Sequence, residues 1–299
     1  MKKLTILDGG MGRELKRVGA PFSQPLWSAQ ALIESPQHVA DVHQSFIDAG
    51  AEIIITNAYA CVPFHLGEQL YQSQGHQLAE TAAQIARTTA ELGSTPTLVA
   101  GCIPPAMGSY RPDLFDVEQA TPILQTLIAA QEPYIDVWMV ETLASIEEFE
   151  VNHRLLSHSQ KPVYYAFTLD DEPEGNALLR SGETVTQTAK RVATLGASGM
   201  LFNCSIPEVL EQAIVDAKKV FDDRNIDIEL GAYANNFEVI DTSHQANDEL
   251  QAMRSLTTDE YLQFAKRWYD AGATIIGGCC GIGPDYIKTL AEWKAALAG

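Results

Sequence analysis

"DAGAEII" (residues 48–54) and "DAGATII" (residues 270–276) are nearly the same sentence, written early and late in one chain of 299 residues. "TLGASGM" (194–200) paraphrases it. In each, a helical pattern runs out at a glycine and a β-rich run begins at once. Glycine after a helix fits the left-handed C-cap position, where a Cβ is costly. The reading is therefore helix, short turn, strand, repeated.

Working outward, the same alternation covers the chain. Strand candidates are residues 5–9, 52–59, 97–103, 137–143, 163–169, 199–205, 228–235 and 274–280. They are almost continuously apolar, as parallel strands buried on both faces should be. Between them lie helical patterns: one from Ser35-Pro36, then about 79–92, 121–131, 145–156, 183–195, 207–221, 258–269 and 284–297. Eight strand–helix units predict a closed (β/α)8 TIM barrel of the α/β class, a single domain over 1–299. An open doubly wound sheet is the rival. It would normally carry G-x-G-x-x-G after its first strand, and "DGGMGREL" lacks that spacing.

Composition narrows the function. The formal net charge is -19, which repels phosphate backbones and anionic lipid, so neither nucleic acid nor membrane is an expected partner. No run approaches the ~20 apolar residues of a membrane helix, and the first apolar run is too short for a signal peptide. Five cysteines in a chain this long are not a disulfide framework. A cytoplasmic chain with reduced thiols is expected.

Barrel enzymes work at the C-terminal ends of their strands. Those ends carry Asp8-Gly9-Gly10, Thr56-Asn57-Ala58-Tyr59, Glu141-Thr142, Asn203-Cys204-Ser205, Tyr233-Ala234-Asn235 and Gly277-Gly278-Cys279-Cys280-Gly281. Strands six and eight flank only strand seven, so barrel closure brings Cys204, Cys279 and Cys280 to one rim. Three thiolates suggest Zn²⁺ with one open position, the pattern of a catalytic site. His244 is a conceivable fourth ligand that would close the site. The surrounding glycines are expected to let the backbone turn so that both adjacent cysteines face one metal. Blander readings stay open: core packing or a vicinal disulfide for Cys279–Cys280, a helix cap for Asp8, a rim charge for Glu141. Cys61 and Cys102 read as small buried hydrophobes.

"ILDGGMGREL", "TNAY", "ET", "FNCS" and "IIGGCCG" together resemble the homocysteine S-methyltransferase family, over about residues 5–295. The resemblance implies a zinc-bearing (β/α)8 barrel that methylates homocysteine sulfur to give methionine. It implies Zn²⁺ on Cys204, Cys279 and Cys280, and homocysteine's amino and carboxylate ends on Asp8, Gly9, Thr56 and Glu141. Asn203 and Asn235 become supporting residues near the metal. The chain departs from the family pattern at Gly101-Cys102-Ile103-Pro104-Pro105, where Ser-x-Gly-Pro is usual. It departs again at Tyr233-Ala234-Asn235-Asn236, where Tyr-Pro-Asn is frequent, and at Ala166, near which a serine often stands.

On this reading the nucleophile is the metal-bound substrate thiolate, and no separate protein nucleophile is needed. A free thiol of pKa about 8.5 is only slightly ionised at neutral pH. Three cysteinates leave Zn(Cys)₃ at formal charge -1, so a fourth sulfur stays electron-rich. A chain this size leaves no room for separate folate and cobalamin modules, so a sulfonium donor such as S-methylmethionine or S-adenosylmethionine is expected. Tyr59, Tyr233 and Trp138 are candidate aromatic faces for it. Two alternatives remain: methylation of another thiol or selenol, and a non-enzymatic zinc- or redox-sensing barrel. Asp8 and Glu141 at the same rim count against the sensor. The polar segment 236–256, long for a strand–helix connection, is expected to fold over the mouth. Nothing in the sequence sets the oligomeric state.

Overall fold

The computed structural model describes residues 3–93, 95–239 and 251–298. All eight expected strands form: β1 (Thr5–Ile6), β2 (Ile53–Ile55), β3 (Leu98–Ile103), β4 (Val137–Leu143), β5 (Val163–Phe167), β6 (Gly199–Asn203), β7 (Glu229–Tyr233) and β8 (Ile275–Ile276). Every pairing is parallel, in the order β1-β8-β7-β6-β5-β4-β3-β2. A parallel bridge between Leu7 and Ile53 joins the ends of that order into a ring. The fold is a (β/α)8 barrel.

Parity within each strand decides what faces where. Leu7, Ile53, Val137, Met139, Ala166, Leu201, Tyr233 and Ile275 fill the barrel interior as one cluster. Their sequence neighbours, among them Ile6, Trp138, Val140, Phe202 and Ile276, join the larger cluster between strands and helices.

Among the described residues the helices are α1 (Met11–Arg17), α2 (Ala29–Glu34), α3 (Pro36–Asp48), α4 (Pro63–Leu66), α5 (Glu68–Leu92), α6 (Val117–Gln131), α7 (Ile146–Leu156), α8 (Val185–Leu195), α9 (Pro207–Arg224), α10 (Thr258–Ala271) and α11 (Pro284–Ala298). The repeated sentence behaves as read: Gly50, Gly196 and Gly272, after α3, α8 and α10, have φ of 102°, 87° and 140°. The short helices α1, α2 and α4 were not expected, and all lie in strand–helix connections. Helix α5 starts well before the expected residue 79. Its first turns look polar and contain a glycine, yet Tyr71, Gly75 and Leu78 are buried on one face, and the Gly75 gap is filled by the Tyr71 ring. No helix among the described residues is long and apolar enough to cross a membrane.

Candidate active site at the C-terminal rim

A cavity of about 120 Å³, open to solvent, lies over the C-terminal ends of the strands. Asp8, Gly9, Thr56 and Glu141 line it, as do Cys204, Cys279 and Cys280. The three cysteine sulfurs lie within 4.8 Å of one another. Among the described residues this is the one cluster of three such side chains able to hold a metal ion. Cys204 and Cys279 are joined as a disulfide, with Cα atoms 5.7 Å apart. Binding one ion through all three sulfurs therefore takes the reduced state of that pair.

The backbone that carries the sulfurs is laced strand to strand. The Cys279 N–H donates to the Ala234 carbonyl at 2.8 Å, and the Asn236 N–H to the Cys280 carbonyl at 2.8 Å. The glycines serve a different purpose from the expected one. A Cβ on Gly277 would meet Leu7 and the Asp8 carbonyl, and one on Gly278 would strike Ile282. They permit close approach of β1 and the following loop; in "GGCCG" only Gly281, at φ 82°, needs left-handed backbone. Gly10 is tight for the same reason, facing the backbone of Cys279 and Cys280.

Cys204 and Thr142 are non-glycine residues at positive φ, 48° and 59°. Such conformations persist only where the surroundings over-determine them. Asn203 does so for Thr142: its Oδ1 accepts from the Thr142 N–H at 3.1 Å and its Nδ2 donates to Thr142 Oγ1 at 3.0 Å. Next to that turn the β4–β5 register shifts between Val140 and Leu143, a place where bulges re-aim side chains. Asn203 thus ties the turn after Glu141 to the strand that leads into Cys204. Asn235 accepts from the Phe237 N–H at 3.2 Å, and its buried Nδ2 has no partner among the described residues.

Glu141 is buried at the cavity wall. Cys102 Sγ donates to its Oε2 at 3.0 Å and the Tyr233 hydroxyl to its Oε1 at 3.2 Å. Burial pushes its pKa up to about 7, against the pull of those two hydrogen bonds. Asp8 Oδ2 accepts from the Ile55 N–H at 2.8 Å, while Oδ1 is buried with no partner among the described residues. Burial, then the charge of Glu141, holds Asp8 well above the usual carboxylate range, with the Ile55 N–H opposing. Burying a charge without a partner is costly, so a cation beside these two carboxyl groups would be stabilising. The Thr56 hydroxyl is already engaged: it donates to Gln131 Oε1 at 2.6 Å and accepts from the Cys102 N–H at 3.0 Å.

The aromatic wall differs from the expected one. Tyr59 and Tyr233 line the cavity, but Trp138 does not. Its parity turns it outward, where Nε1 donates to Glu132 at 2.8 Å. Trp27, Tyr110 and Phe237 line the cavity instead. The Arg13 guanidinium lies over Trp27 and Phe237, and Arg180 over Tyr110. Among the described residues no arginine or lysine lies over Tyr59 or Tyr233. Cys61 is a buried filler, as expected; Cys102 is more than that, because its thiol meets Glu141. Phe237 and Gln251, within the long polar connection, reach the cavity, and Phe237 pairs with Met253. Residues 240–250, the middle of the expected cover, and His244 with them lie outside the described residues.

The profile of the homocysteine S-methyltransferase family matches residues 5–293. Homocysteine S-methyltransferase 3 of Arabidopsis thaliana is 25% identical over 96% of this chain and 88% of its own length. The selenocysteine methyltransferase of Astragalus bisulcatus is 24% identical over 96% and 91%. The metallated form of the homocysteine methyltransferase MmuM from Escherichia coli superimposes with a TM-score of 0.77 at 26% identity, covering 98% of this chain and 96% of that one. The chain belongs to the homocysteine S-methyltransferase family and is a methyltransferase.

Proposed function

We propose that this chain, acting as a single barrel domain in the cytoplasm, moves a methyl group from an activated donor to the thiolate of homocysteine, giving methionine. The observation that carries the reading is one cavity lined by three convergent cysteine sulfurs and two buried carboxyl groups. Cys204, Cys279 and Cys280 would hold zinc. Soft thiolate donors suit it, and three protein ligands leave a position for substrate. Sulfurs at about 2.3 Å from a tetrahedral ion lie about 3.8 Å from one another, which this cluster accommodates once the pair is reduced. The chemistry a bound zinc supplies is a deprotonated substrate thiol at neutral pH.

The chain's own residues do the rest. Asp8 Oδ1 and Glu141 receive the ammonium of homocysteine through charge-assisted hydrogen bonds. Gly9 and Thr56 shape the wall beside it. The Tyr59 and Tyr233 rings, which line the cavity, suit a cationic donor, a sulfonium such as S-methylmethionine or S-adenosylmethionine. As the new S–CH₃ bond forms, the donor's S–CH₃ bond breaks and a neutral thioether leaves; the thiol proton goes to solvent. Holding both reactants in line lowers the barrier by several kcal/mol, on the order of what proximity supplies.

Metal analysis of the reduced protein, with homocysteine methylation assayed against sulfonium, betaine and methylated pterin donors, tests this. Zinc near one per chain with methionine formed from a sulfonium is the expected result. Absence of homocysteine methylation with every donor would sink the reading. A selenol acceptor is the second reading, favoured by the selenocysteine methyltransferase relative. Competition between homocysteine and selenocysteine for one donor decides between them.

A further inference from the structure

Cys102 stands apart from the sulfur cluster, at the end of β3, fully buried. Its S–H donates to Glu141 Oε2 at 3.0 Å, while the Tyr233 hydroxyl, from β7, takes Oε1. The carboxyl is thus fastened from a neighbouring strand on one side and from across the barrel on the other. Cys61 is equally buried but makes no such bond among the described residues, so burial alone does not produce the contact.

The thiol's own position is fixed. Gln131, on α6 and 0% exposed, clamps the peptide groups of Cys102: its Oε1 accepts from the Cys102 N–H at 3.1 Å and its Nε2 donates to the Cys102 carbonyl at 2.8 Å. Thr56 Oγ1 accepts from the same N–H at 3.0 Å and donates to Gln131. A continuous chain of hydrogen bonds thus runs from a helix outside the barrel to a carboxyl inside the cavity.

We propose that Cys102 is a positioning residue: its S–H, opposite the Tyr233 hydroxyl, holds the Glu141 carboxyl in the orientation that meets the ammonium group of homocysteine. This rests on the reading that Glu141 takes that ammonium. Without the thiol donor the carboxyl keeps one tether and swings about it, so the ammonium meets it in fewer of its orientations. The step concerns acceptor binding alone, so donor binding and turnover should be untouched.

The test is steady-state kinetics on the zinc-loaded protein for Cys102→Ala, Cys102→Ser, Glu141→Gln and the double variant Cys102→Ala/Glu141→Gln. Cys102→Ala should raise the homocysteine KM about two- to tenfold, the scale of one neutral hydrogen bond. The donor KM and kcat should stay within about twofold, since one hydrogen bond to the acceptor site is all that is lost. Cys102→Ser, which keeps a donor of similar shape, should restore the wild-type KM. In the double variant Cys102→Ala should add nothing, because the two act as one unit. In the infrared difference between wild type and Cys102→Ser, the S–H stretching band of Cys102 should move when homocysteine binds. An unchanged homocysteine KM in Cys102→Ala, an equal rise in both KM values, additivity in the double variant, or an unmoved S–H band would each overturn the assignment. If Cys102→Ala fails to fold, the serine variant and the S–H band still decide. An unchanged homocysteine KM in Glu141→Gln alone would instead remove the reading of Glu141 on which it rests, and it is seen independently of any change at Cys102.

Discussion

The two sides of the cavity are built differently. The side with the sulfurs and carboxyl groups comes from the last residues of strands, tied by backbone hydrogen bonds such as Cys279 to Ala234 and Gly278 to Asp8. The rest of the wall, with Trp27, Tyr110 and Phe237, comes from connections, and its rings are steadied by arginines. A framework of strand ends can hold reacting atoms to small tolerances, whereas loops can vary without disturbing the barrel. The acceptor side should therefore be the brittle one.

The largest expected effect follows from Cys280→Ala. Metal content should fall to a small fraction of one per chain, and methyl transfer by at least about a hundredfold, more than loss of a ligand's outer partner costs. Circular dichroism should show the barrel retained, because the strands bury their core away from the rim. Full zinc content in this variant would erase the distinction between the two sides.

Next comes Glu141→Gln, which should raise the homocysteine KM about ten- to a hundredfold, the worth of a charged hydrogen bond, with little change in donor KM. Equal effects on both substrates would mean that the sides are not separate.

The same residue sets a pH dependence. Burial raises the Glu141 pKa to about 7, so the free protein holds this carboxyl protonated below that pH. An ammonium ligand needs the carboxylate, so binding below about 7 must first remove a proton. The homocysteine KM should fall as pH rises towards 7, by up to about tenfold per unit. That part of the profile should vanish in Glu141→Gln, while the contribution of the substrate thiol itself remains in both. Identical slopes in the two proteins would contradict the role.

The smallest effect belongs to the donor side. Tyr59→Leu should raise the KM of a sulfonium donor about two- to fivefold, the scale of a partly exposed cation–π contact, and leave the homocysteine KM alone. Tyr59→Phe, which keeps the ring, should not. A larger effect on homocysteine than on donor would move Tyr59 to the other side.

What could be read in advance follows the same division. Strand ends announce themselves, because an apolar run that stops at Asp8, at Glu141 or at Asn203-Cys204 leaves a polar residue where the barrel opens. The sulfur cluster needed only strand order. Parity was available too: Glu141 shares it with the interior residues Val137 and Met139, and Trp138 does not, so its outward position could have been deduced. Gln131 gave no warning, since one glutamine late in a helix looks like any solvated residue until β3 is placed beside it. Cys102 reads as filler unless the position of Glu141 is known. Trp27, Tyr110 and Phe237 sit in connections, where no period marks a side chain as inward.

The Thr5–Ile275 pairing joins the two strands most distant in sequence, and chain entropy makes such contacts late ones. During synthesis the residue read as gripping the ammonium, Asp8, emerges with the first strand, whereas Cys279 and Cys280 arrive with the eighth. A nascent chain thus passes through a long interval in which Cys204 waits without its companions. The proposed three-sulfur centre comes into being only when the ring is shut, so on that proposal metal uptake would report closure of the barrel.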